Sequence, residues 1–234
     1  MNTHNYKKFH DEYSKLGFSG SYFLAFRDIP KLLKGLKGKA LDYGCGTGRS
    51  TQFIKSLGFE TVGVDISQDM LNNAKELDRD GEYKLIESGR IPYPNNTFDL
   101  VFSSFVFLEV SSYIEIETIC KEINRVLKPK GKFVFVTNSI TEHNGEWLSF
   151  SYDFPENNRK IKSGDKLKLL IKNSNIILYD YYWSENDYRS AIKKSRLKLV
   201  QLHEPLGQVD DGVEWKDESR KKNFAIYVAE KGET

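Results

Sequence analysis

The sequence is poor in cysteine and histidine, and it has no long hydrophobic run. Two cysteines and four histidines among 234 residues are too few for a disulfide framework, and their positions show no metal-ligand spacing. No apolar stretch is long enough to cross a membrane, and the first residues are polar and do not form a signal peptide. We therefore expect a cytoplasmic protein with neither a metal nor a membrane partner.

An excess of charge of one sign is also missing. The chain has 35 Lys and Arg residues against 33 Asp and Glu residues, a formal net charge of +2, and the two signs are interleaved. This pattern does not indicate a nucleic-acid or membrane surface. The length is suited to one large α/β domain with an inserted segment, as a monomer or homodimer.

Apolar runs alternate with helical patterns through the first part of the chain. The runs expected to form strands are residues 39–43, 61–66, 83–87, 99–104 and 132–138. Ser67 is placed to cap the helix that follows the second run, and residues 116–127 carry an apolar helical stripe. Strands that alternate with helices predict a mostly parallel sheet, whose ligand lies beyond the carboxyl ends of the strands.

After Asn138 this rhythm changes. Residues 165–172 and 175–183 predict an antiparallel pair of strands inserted before a helix at 184–195. Two further apolar runs near the end of the chain predict an antiparallel hairpin at the edge of the main sheet. The expected organisation is an N-terminal helical lid at 1–38, a ligand-binding core at 39–138, an inserted cap at 139–184, and the rest of the core sheet at 185–234.

The stretch LDYGCGTGRS, residues 41–50, places three glycines in a loop behind the first strand. The spacing does not match G-x-G-x-x-G, and no Lys-Ser/Thr pair follows as in a P-loop. Asp42 directly before the loop would repel a pyrophosphate but would suit an ammonium group. Asp65 ends the second strand, where a carboxylate can accept both hydroxyls of a ribose. The pattern favours a nucleoside that carries a cationic amino-acid tail.

Four motifs in order, LDYGCGTGRS, VGVDIS with DMLNNAK, PYPNNTFDLVFSS and EINRVLKPKGKFVFV, resemble those of the class I S-adenosylmethionine-dependent methyltransferases. The resemblance implies a Rossmann-like α/β fold with a seven-stranded, mostly parallel sheet, helices on both faces, a last antiparallel strand, and S-adenosyl-L-methionine as cofactor. It implies that the cofactor is held by residues of the glycine loop, of the second strand and its helix, and of the ends of the third and fourth strands: Asp42, Gly44, Cys45, Gly46, Asp65, Ile66, Met70, Glu87 or its neighbour Ser88, and Ser103.

The segment before residue 39 resembles the lid helices of small-molecule methyltransferases. Tyr13, Tyr22 and Arg27 are the candidates to close over the cofactor, with Arg27 pairing its carboxylate through two hydrogen bonds. The alternative is that the aromatic residues of this segment only pack its helix against the sheet.

Methyl transfer needs alignment and an acceptor in the right protonation state. His143 is a candidate general base, or else a solvent-exposed loop histidine, and Glu109 is a candidate for binding an amine, or else only the start of a helix. Four aromatic residues of the insertion are candidate substrate contacts, or else packing residues of the cap: Trp147, Tyr181, Tyr182 and Trp183. Cys45 is expected to be a small packing residue of the loop and not a nucleophile.

The favoured hypothesis is methyl transfer to an oxygen or nitrogen atom of a small molecule by in-line attack on the sulfonium methyl. An aromatic-rich cap and the lack of basic tracts favour a pocket over a polymer groove. Two alternatives stay open, an RNA or protein methyltransferase and a protein that binds S-adenosylmethionine for another chemistry.

Overall fold

The structure, a computed structural model, describes residues 17–139 and 145–233. Its strands are β1 (Lys39–Tyr43), β2 (Glu60–Asp65), β3 (Glu82–Leu85), β4 (Phe98–Ser104), β5 (Leu127–Asn138), β6 (Phe150–Ser151), β7 (Lys166–Ile171), β8 (Ile176–Tyr181), β9 (Leu197–His203) and β10 (Phe224–Lys231). Its helices are α1 (Ser21–Arg27), α2 (Ile29–Leu32), α3 (Arg49–Ser56), α4 (Gln68–Leu77), α5 (Tyr113–Val126) and α6 (Glu185–Lys194).

The main sheet has seven strands in the order β3-β2-β1-β4-β5-β10-β9. The pairs among β1 to β5 are parallel, and β10 is antiparallel to both of its neighbours. The chain order reverses beside β1, so the carboxyl ends of β1 and β4 border a crevice, as is usual for ligand sites of such sheets. The predicted Rossmann-like sheet with a last antiparallel strand is confirmed.

The helices form where the sequence predicts them. The Ser67 side chain caps α4 by accepting a hydrogen bond from the Met70 backbone N–H at 3.4 Å. Helix α5 buries an apolar stripe that includes Ile116, Ile119 and Ile123. These side chains share one face because helical residues three or four apart are neighbours. They pack on the sheet and cover one of its faces.

The insertion folds as a second, three-stranded antiparallel sheet in the order β6-β7-β8. The predicted pair of strands is confirmed, whereas β6 was not predicted, because two residues carry no readable alternation. The Tyr181 backbone N–H donates to the Leu108 carbonyl at 2.7 Å. The small sheet is thereby joined to the segment that follows β4, at the carboxyl ends of the parallel strands.

The N-terminal helices pack on the other face of the main sheet. Leu24, Ala25 and Ile29 are fully buried in a cluster with residues of β4, β5 and β10. The Ser21 hydroxyl donates to Glu218 at 2.5 Å, and the Ser21 backbone N–H donates to Ser149 at 2.9 Å. The start of α1 is thus bonded to both the insertion and the C-terminal part of the chain. Within the described ranges, no helix combines the length and apolarity needed to cross a membrane.

Candidate functional site

A cavity of about 140 Å³ lies at the carboxyl ends of β1 to β4. Its wall contains nine of the residues predicted to bind cofactor or substrate: Tyr22, Gly44, Cys45, Gly46, Asp65, Ile66, Met70, Ser88 and Glu109. Further lining residues were not predicted, among them Thr47, Arg49, Ser67, Ile86, Ser104, Phe105 and Val106. The loops after four neighbouring strands therefore meet at one site.

The glycine loop exposes its backbone to this cavity. Gly44, Gly46 and Gly48 have φ values of 74, 53 and 84°, in the left-handed region that favours glycine. The backbone N–H groups of Gly44 and Cys45 donate to the Val64 carbonyl at 2.8 and 3.0 Å, which ties the loop to β2. A Cβ atom at Gly46 would meet no atom within 4 Å. A ligand can therefore approach the backbone closely at this point.

Asp65 stands at the end of β2 and holds the loop from the side. Its carboxylate accepts hydrogen bonds from the backbone N–H groups of Gly46 at 2.8 Å and Ser67 at 2.9 Å. Burial raises the pKa of Asp65, and the hydrogen bonds from Gly46 and Ser67 oppose the rise. Each carboxylate oxygen can accept more than one hydrogen bond, so this side chain has capacity left for hydroxyl groups of a ligand in the cavity.

Asp42, a predicted cofactor contact, does not itself line the cavity. Its side chain is fully buried behind the loop and accepts hydrogen bonds from Ser50 at 2.6 Å and Thr51 at 2.7 Å. The strand alternation that turns Tyr43 toward the cavity turns Asp42 away from it. Asp42 therefore ties β1 to the start of α3 and holds the glycine loop between them.

The stability of the protein is expected to depend on the protonation of Asp42. Burial raises the pKa of Asp42 to about 7 from an ordinary value of 3.8, while Ser50 and Thr51 lower it. The folded protein therefore binds a proton that the unfolded chain releases, and this stabilisation is lost as the pH rises toward 7. Asp42→Asn removes this titrating group. The unfolding free energy of the variant minus that of wild type should therefore rise by up to about 4 kcal/mol from pH 4 to pH 7.

Urea denaturation of both proteins at several pH values measures this difference. Asp65 and Asp180 titrate in both proteins, so subtraction removes their contributions. A difference in unfolding free energy that stays constant across this range would show that Asp42 is ionised throughout.

Opposite the loop, the wall is mainly apolar. Ile66, Met70 and Ile86 line it, and the Ser88 hydroxyl donates to Glu115 at 2.6 Å beside them. Of the predicted pair Glu87 or Ser88, Ser88 lines the cavity. Glu87 is outside the cavity, with a side chain 81% exposed and paired with Arg90.

Two further predicted cofactor contacts, Ser103 and Arg27, lie outside the lining of the cavity. Ser103 is fully buried in β4, and its neighbour Ser104 lines the cavity, because successive strand residues face opposite sides. Arg27 is bonded to Asp28, Asp211 and the Leu206 carbonyl, away from the cavity.

Arg49 is the arginine that lines the cavity. It is the first residue of α3, directly after the glycine loop. Its position in the sequence was the signal that could have identified it. The positive end of the helix dipole adds to its charge, so this end of the cavity suits a carboxylate.

A second, smaller cavity opens beside the first, between β5 and the small sheet. Its volume is about 20 Å³, room for a group of about the size of a water molecule. Tyr22, Phe105 and Glu109 line both cavities. Phe105 directly follows β4 and has a φ of 62°, which is uncommon for an aromatic residue. Two aromatic side chains, Tyr22 and Phe105, therefore border both spaces.

The predicted aromatic contacts of the insertion do not line either cavity. Trp147 is 1% exposed and packs against Phe150 in the core. Tyr182 packs against the same cluster, and Tyr181 lies half-buried on the other side of β8. The indole N–H of Trp183 donates to the Val110 carbonyl at 2.9 Å. These residues attach the insertion to the core. His143, the predicted base, and Tyr13, a predicted lid residue, lie outside the described residues.

Trp183 is therefore expected to matter for stability and not for the site. Trp183→Ala should cost about 2 to 4 kcal/mol of unfolding free energy, because it removes a large half-buried ring. Trp183→Phe should cost about 1 kcal/mol, the usual value of the lost hydrogen bond. Thermal denaturation and ligand calorimetry test this. A variant that melts like wild type and binds a ligand of the larger cavity more weakly would contradict the structural role.

Cys45 has no features of a nucleophile. It is 4% exposed, and burial raises the pKa of its thiol well above the ordinary value. A neutral buried thiol is unreactive, so Cys45 is a packing residue of the loop. In the portion of the chain that the structure describes, no three side chains of His, Cys, Asp or Glu are grouped to hold a metal ion.

The cavity suits S-adenosylmethionine, the cofactor implied by the sequence motifs. Gly46 leaves space where a Cβ would stand, and the half-buried carboxylate of Asp65 lines the same cavity. Ile66 and Met70 offer an apolar surface for a flat base, and Arg49 offers a cation for a carboxylate. The residues present therefore match each part of the molecule.

Comparison with known proteins agrees with this match. A family model described as a methyltransferase domain matches residues 41–135. A demethylmenaquinone methyltransferase of Oceanobacillus iheyensis is 34% identical over 183 residues, which cover 73% of this chain and 70% of that protein. A protein of the same name from Bacillus pumilus is 34% identical over 138 residues, which cover 53% of this chain and 58% of that protein. In two further Bacillus relatives of this name the matched segment spans 50% and 54% of the relative's length.

Among solved structures, an S-adenosylmethionine-dependent methyltransferase from Clostridium acetobutylicum superimposes with a TM-score of 0.64. It is 17% identical, and the match covers 97% of this chain and 99% of that one. This likeness supports the fold. With the relative from Oceanobacillus iheyensis and the matching domain model, it places the chain among the class I S-adenosylmethionine-dependent methyltransferases, with S-adenosylmethionine as its cofactor.

Proposed function

We propose that this protein transfers the methyl group of S-adenosylmethionine to an oxygen or nitrogen atom of a small molecule. The observation that carries the proposal is the second cavity, which adjoins the cofactor cavity through Tyr22, Phe105 and Glu109. A methyl acceptor must reach the cofactor from such a neighbouring space. A concave, mainly apolar space of this kind suits a small molecule better than a polymer.

The names of the relatives support a small acceptor. Demethylmenaquinone is the acceptor that those names state for them, and it is one compound to assay with this chain. The net charge of +2 with interleaved signs gives no electrostatic footprint for RNA.

Each wall of the cavity would hold one part of the cofactor, which supplies an electrophilic methyl group when bound. Asp65 would accept hydrogen bonds from the ribose hydroxyls, and Arg49 would pair with the carboxylate. Ile66 and Met70 would contact the adenine ring. Glu109 stands where both cavities meet, so it would orient a hydroxyl or amino group of the acceptor. The surrounding rings would exclude water from the reacting atoms.

Incubation of the protein with methyl-labelled S-adenosylmethionine and fractionated cell extract tests the proposal. We expect label in the small-molecule fraction and formation of S-adenosylhomocysteine. Demethylmenaquinone is assayed in parallel as a defined acceptor, and transfer to a carbon atom of this compound would contradict an oxygen or nitrogen target. Label found only in RNA or protein would instead establish the polymer alternative. Binding of the cofactor without any S-adenosylhomocysteine formed would point to another chemistry.

A further inference from the structure

A buried polar cluster closes the far end of the second cavity. Asp180 is 2% exposed and Tyr152 is 4% exposed, and both line the cavity together with Asn138. The Tyr152 hydroxyl donates to Asp180 Oδ2 at 2.7 Å, and the Asn138 amide donates to the same oxygen at 3.1 Å. The amide also contacts the Tyr152 hydroxyl. One tyrosine and one asparagine therefore fix the orientation of a carboxylate.

The remainder of this cavity wall is mainly apolar. Most of the other lining residues are aliphatic or aromatic: Leu108, Phe150, Leu169, Ile171, Leu178 and Phe224. Burying a carboxylate among such residues is costly unless its oxygens find donors. The hydrogen bonds that Asp180 makes to described residues all reach Oδ2. Its other oxygen, Oδ1, has no donor among them and belongs to a side chain that borders the cavity.

We propose that Asp180 selects the methyl acceptor by accepting, at Oδ1, a hydrogen bond from a hydroxyl or protonated amino group on an otherwise apolar molecule. Tyr152 and Asn138 are positioning residues, because they act on the acceptor through the carboxylate. The cavity is small, so it takes this polar group alone, and the rest of the molecule lies beside Tyr22 and Phe105, which line both cavities, toward the cofactor. The proposal rests on the proposed function and names the class of its substrate.

The inference predicts a pH dependence of acceptor binding. Burial raises the pKa of Asp180 to about 6, and the hydrogen bonds from Tyr152 and Asn138 oppose the rise. The other titratable groups around it are Tyr22 and Glu109 at the cavity wall and Tyr188 of α6. The ionised carboxylate is the stronger acceptor, so binding of a hydrogen-bond donor should strengthen as the pH rises through about 6.

Phenol and benzene form a pair of probes that differ by one hydroxyl group. Their binding to the full chain saturated with S-adenosylhomocysteine can be followed by NMR titration of backbone amides at pH 5 and pH 7.5. For wild type at pH 7.5 we expect phenol to bind at least about tenfold more tightly than benzene, since a hydrogen bond to a charged group contributes about 1.5 to 3 kcal/mol. The preference should shrink at pH 5.

Asp180→Asn should reduce the preference for phenol by about fivefold or more and remove its pH dependence, because a neutral acceptor is weaker. Tyr181→Phe is the matched control, since it removes a hydroxyl from the next residue of β8, on the opposite face. It should keep the preference. Tyr152→Phe provides a second test if the Asn variant does not fold. Loss of one donor to Asp180 should move the midpoint of the pH dependence upward.

Equal binding of phenol and benzene by wild type would overturn the inference. The inference would also be overturned if Asp180→Asn kept the wild-type preference for phenol and its pH dependence. The same holds if Tyr181→Phe lost as much of this preference as Asp180→Asn. Calorimetry with S-adenosylhomocysteine on the same samples separates the two proposals. Protein that does not bind this product overturns the proposed function, whereas protein that binds it and shows no preference for phenol overturns only the role of Asp180.

Discussion

Asp65→Ala is expected to weaken the binding of S-adenosylmethionine and S-adenosylhomocysteine at least about tenfold. Asp65 lines the cofactor cavity at the end of β2, where its carboxylate can accept two ribose hydroxyls. Hydrogen bonds to a charged group contribute about 1.5 to 3 kcal/mol each, and 1.4 kcal/mol corresponds to a factor of ten in affinity. The substitution also removes the acceptor for the backbone N–H groups of Gly46 and Ser67.

Calorimetry with S-adenosylhomocysteine measures this loss directly. Asp69→Ala is a suitable control, because this substitution removes the same charge. Asp69 is half-buried in the first turn of α4 and does not line the cavity. The control should bind as wild type does. A folded Asp65→Ala protein with wild-type affinity would show that the ribose is held elsewhere.

The parts of the site that were predictable are those that the local sequence determines. The turn through Gly44 and Gly46 follows directly from the residue types, since other residues adopt left-handed backbone angles at a cost. Asp65 is identified by its distance along the chain from that turn, because one βαβ unit brings the end of β2 beside the loop after β1. The main sheet was predictable for the same reason, since its strands are apolar runs that need no distant partner to be recognised.

The two arginines show what local sequence does not contain. Arg27 was expected at the cofactor, but its guanidinium is held by Asp211 at 2.8 Å, a residue 184 positions away along the chain. Such a pairing depends on where the C-terminal loop returns, which no pattern near Arg27 reveals. Arg49 follows the glycine loop immediately, and its place at the start of α3 made it the better candidate for a ligand carboxylate.

Strand β8 shows a different limit. The alternation of its side chains was predictable, with Tyr179 and Tyr181 on one face and Asp180 on the other. Which face turns inward was not predictable from the aromatic content, because aromatic residues also cover the outside of a half-exposed sheet. In the structure Asp180 is 2% exposed and Tyr179 is 39% exposed. The polar residue of the strand, and not its aromatic neighbours, borders the second cavity.

Gly44→Ala and Gly46→Ala are expected to separate stability from ligand binding within one loop. Both positions have positive φ, so alanine costs about 1 to 2 kcal/mol at each. At Gly44 a Cβ atom would also lie 2.1 Å from Val106 Cγ2, and overpacking of this kind costs about 1 to 3 kcal/mol more. Urea denaturation should therefore show a loss of about 2 to 5 kcal/mol for Gly44→Ala and about 1 to 2 kcal/mol for Gly46→Ala.

Binding should follow the opposite order in the protein that remains folded. At Gly46 the new methyl group meets no protein atom within 4 Å and occupies space that the close approach of the cofactor requires, so affinity for S-adenosylhomocysteine should fall although stability is largely kept. Combination with Val106→Ala tests the steric cause. Gly44→Ala combined with Val106→Ala should lose less stability than the sum of the two single losses, because the contact between the new methyl group and Val106 is relieved. Gly46→Ala combined with Val106→Ala should lose about the sum of the two single losses. Additive effects at Gly44 would mean that the contact with Val106 does not cause the loss.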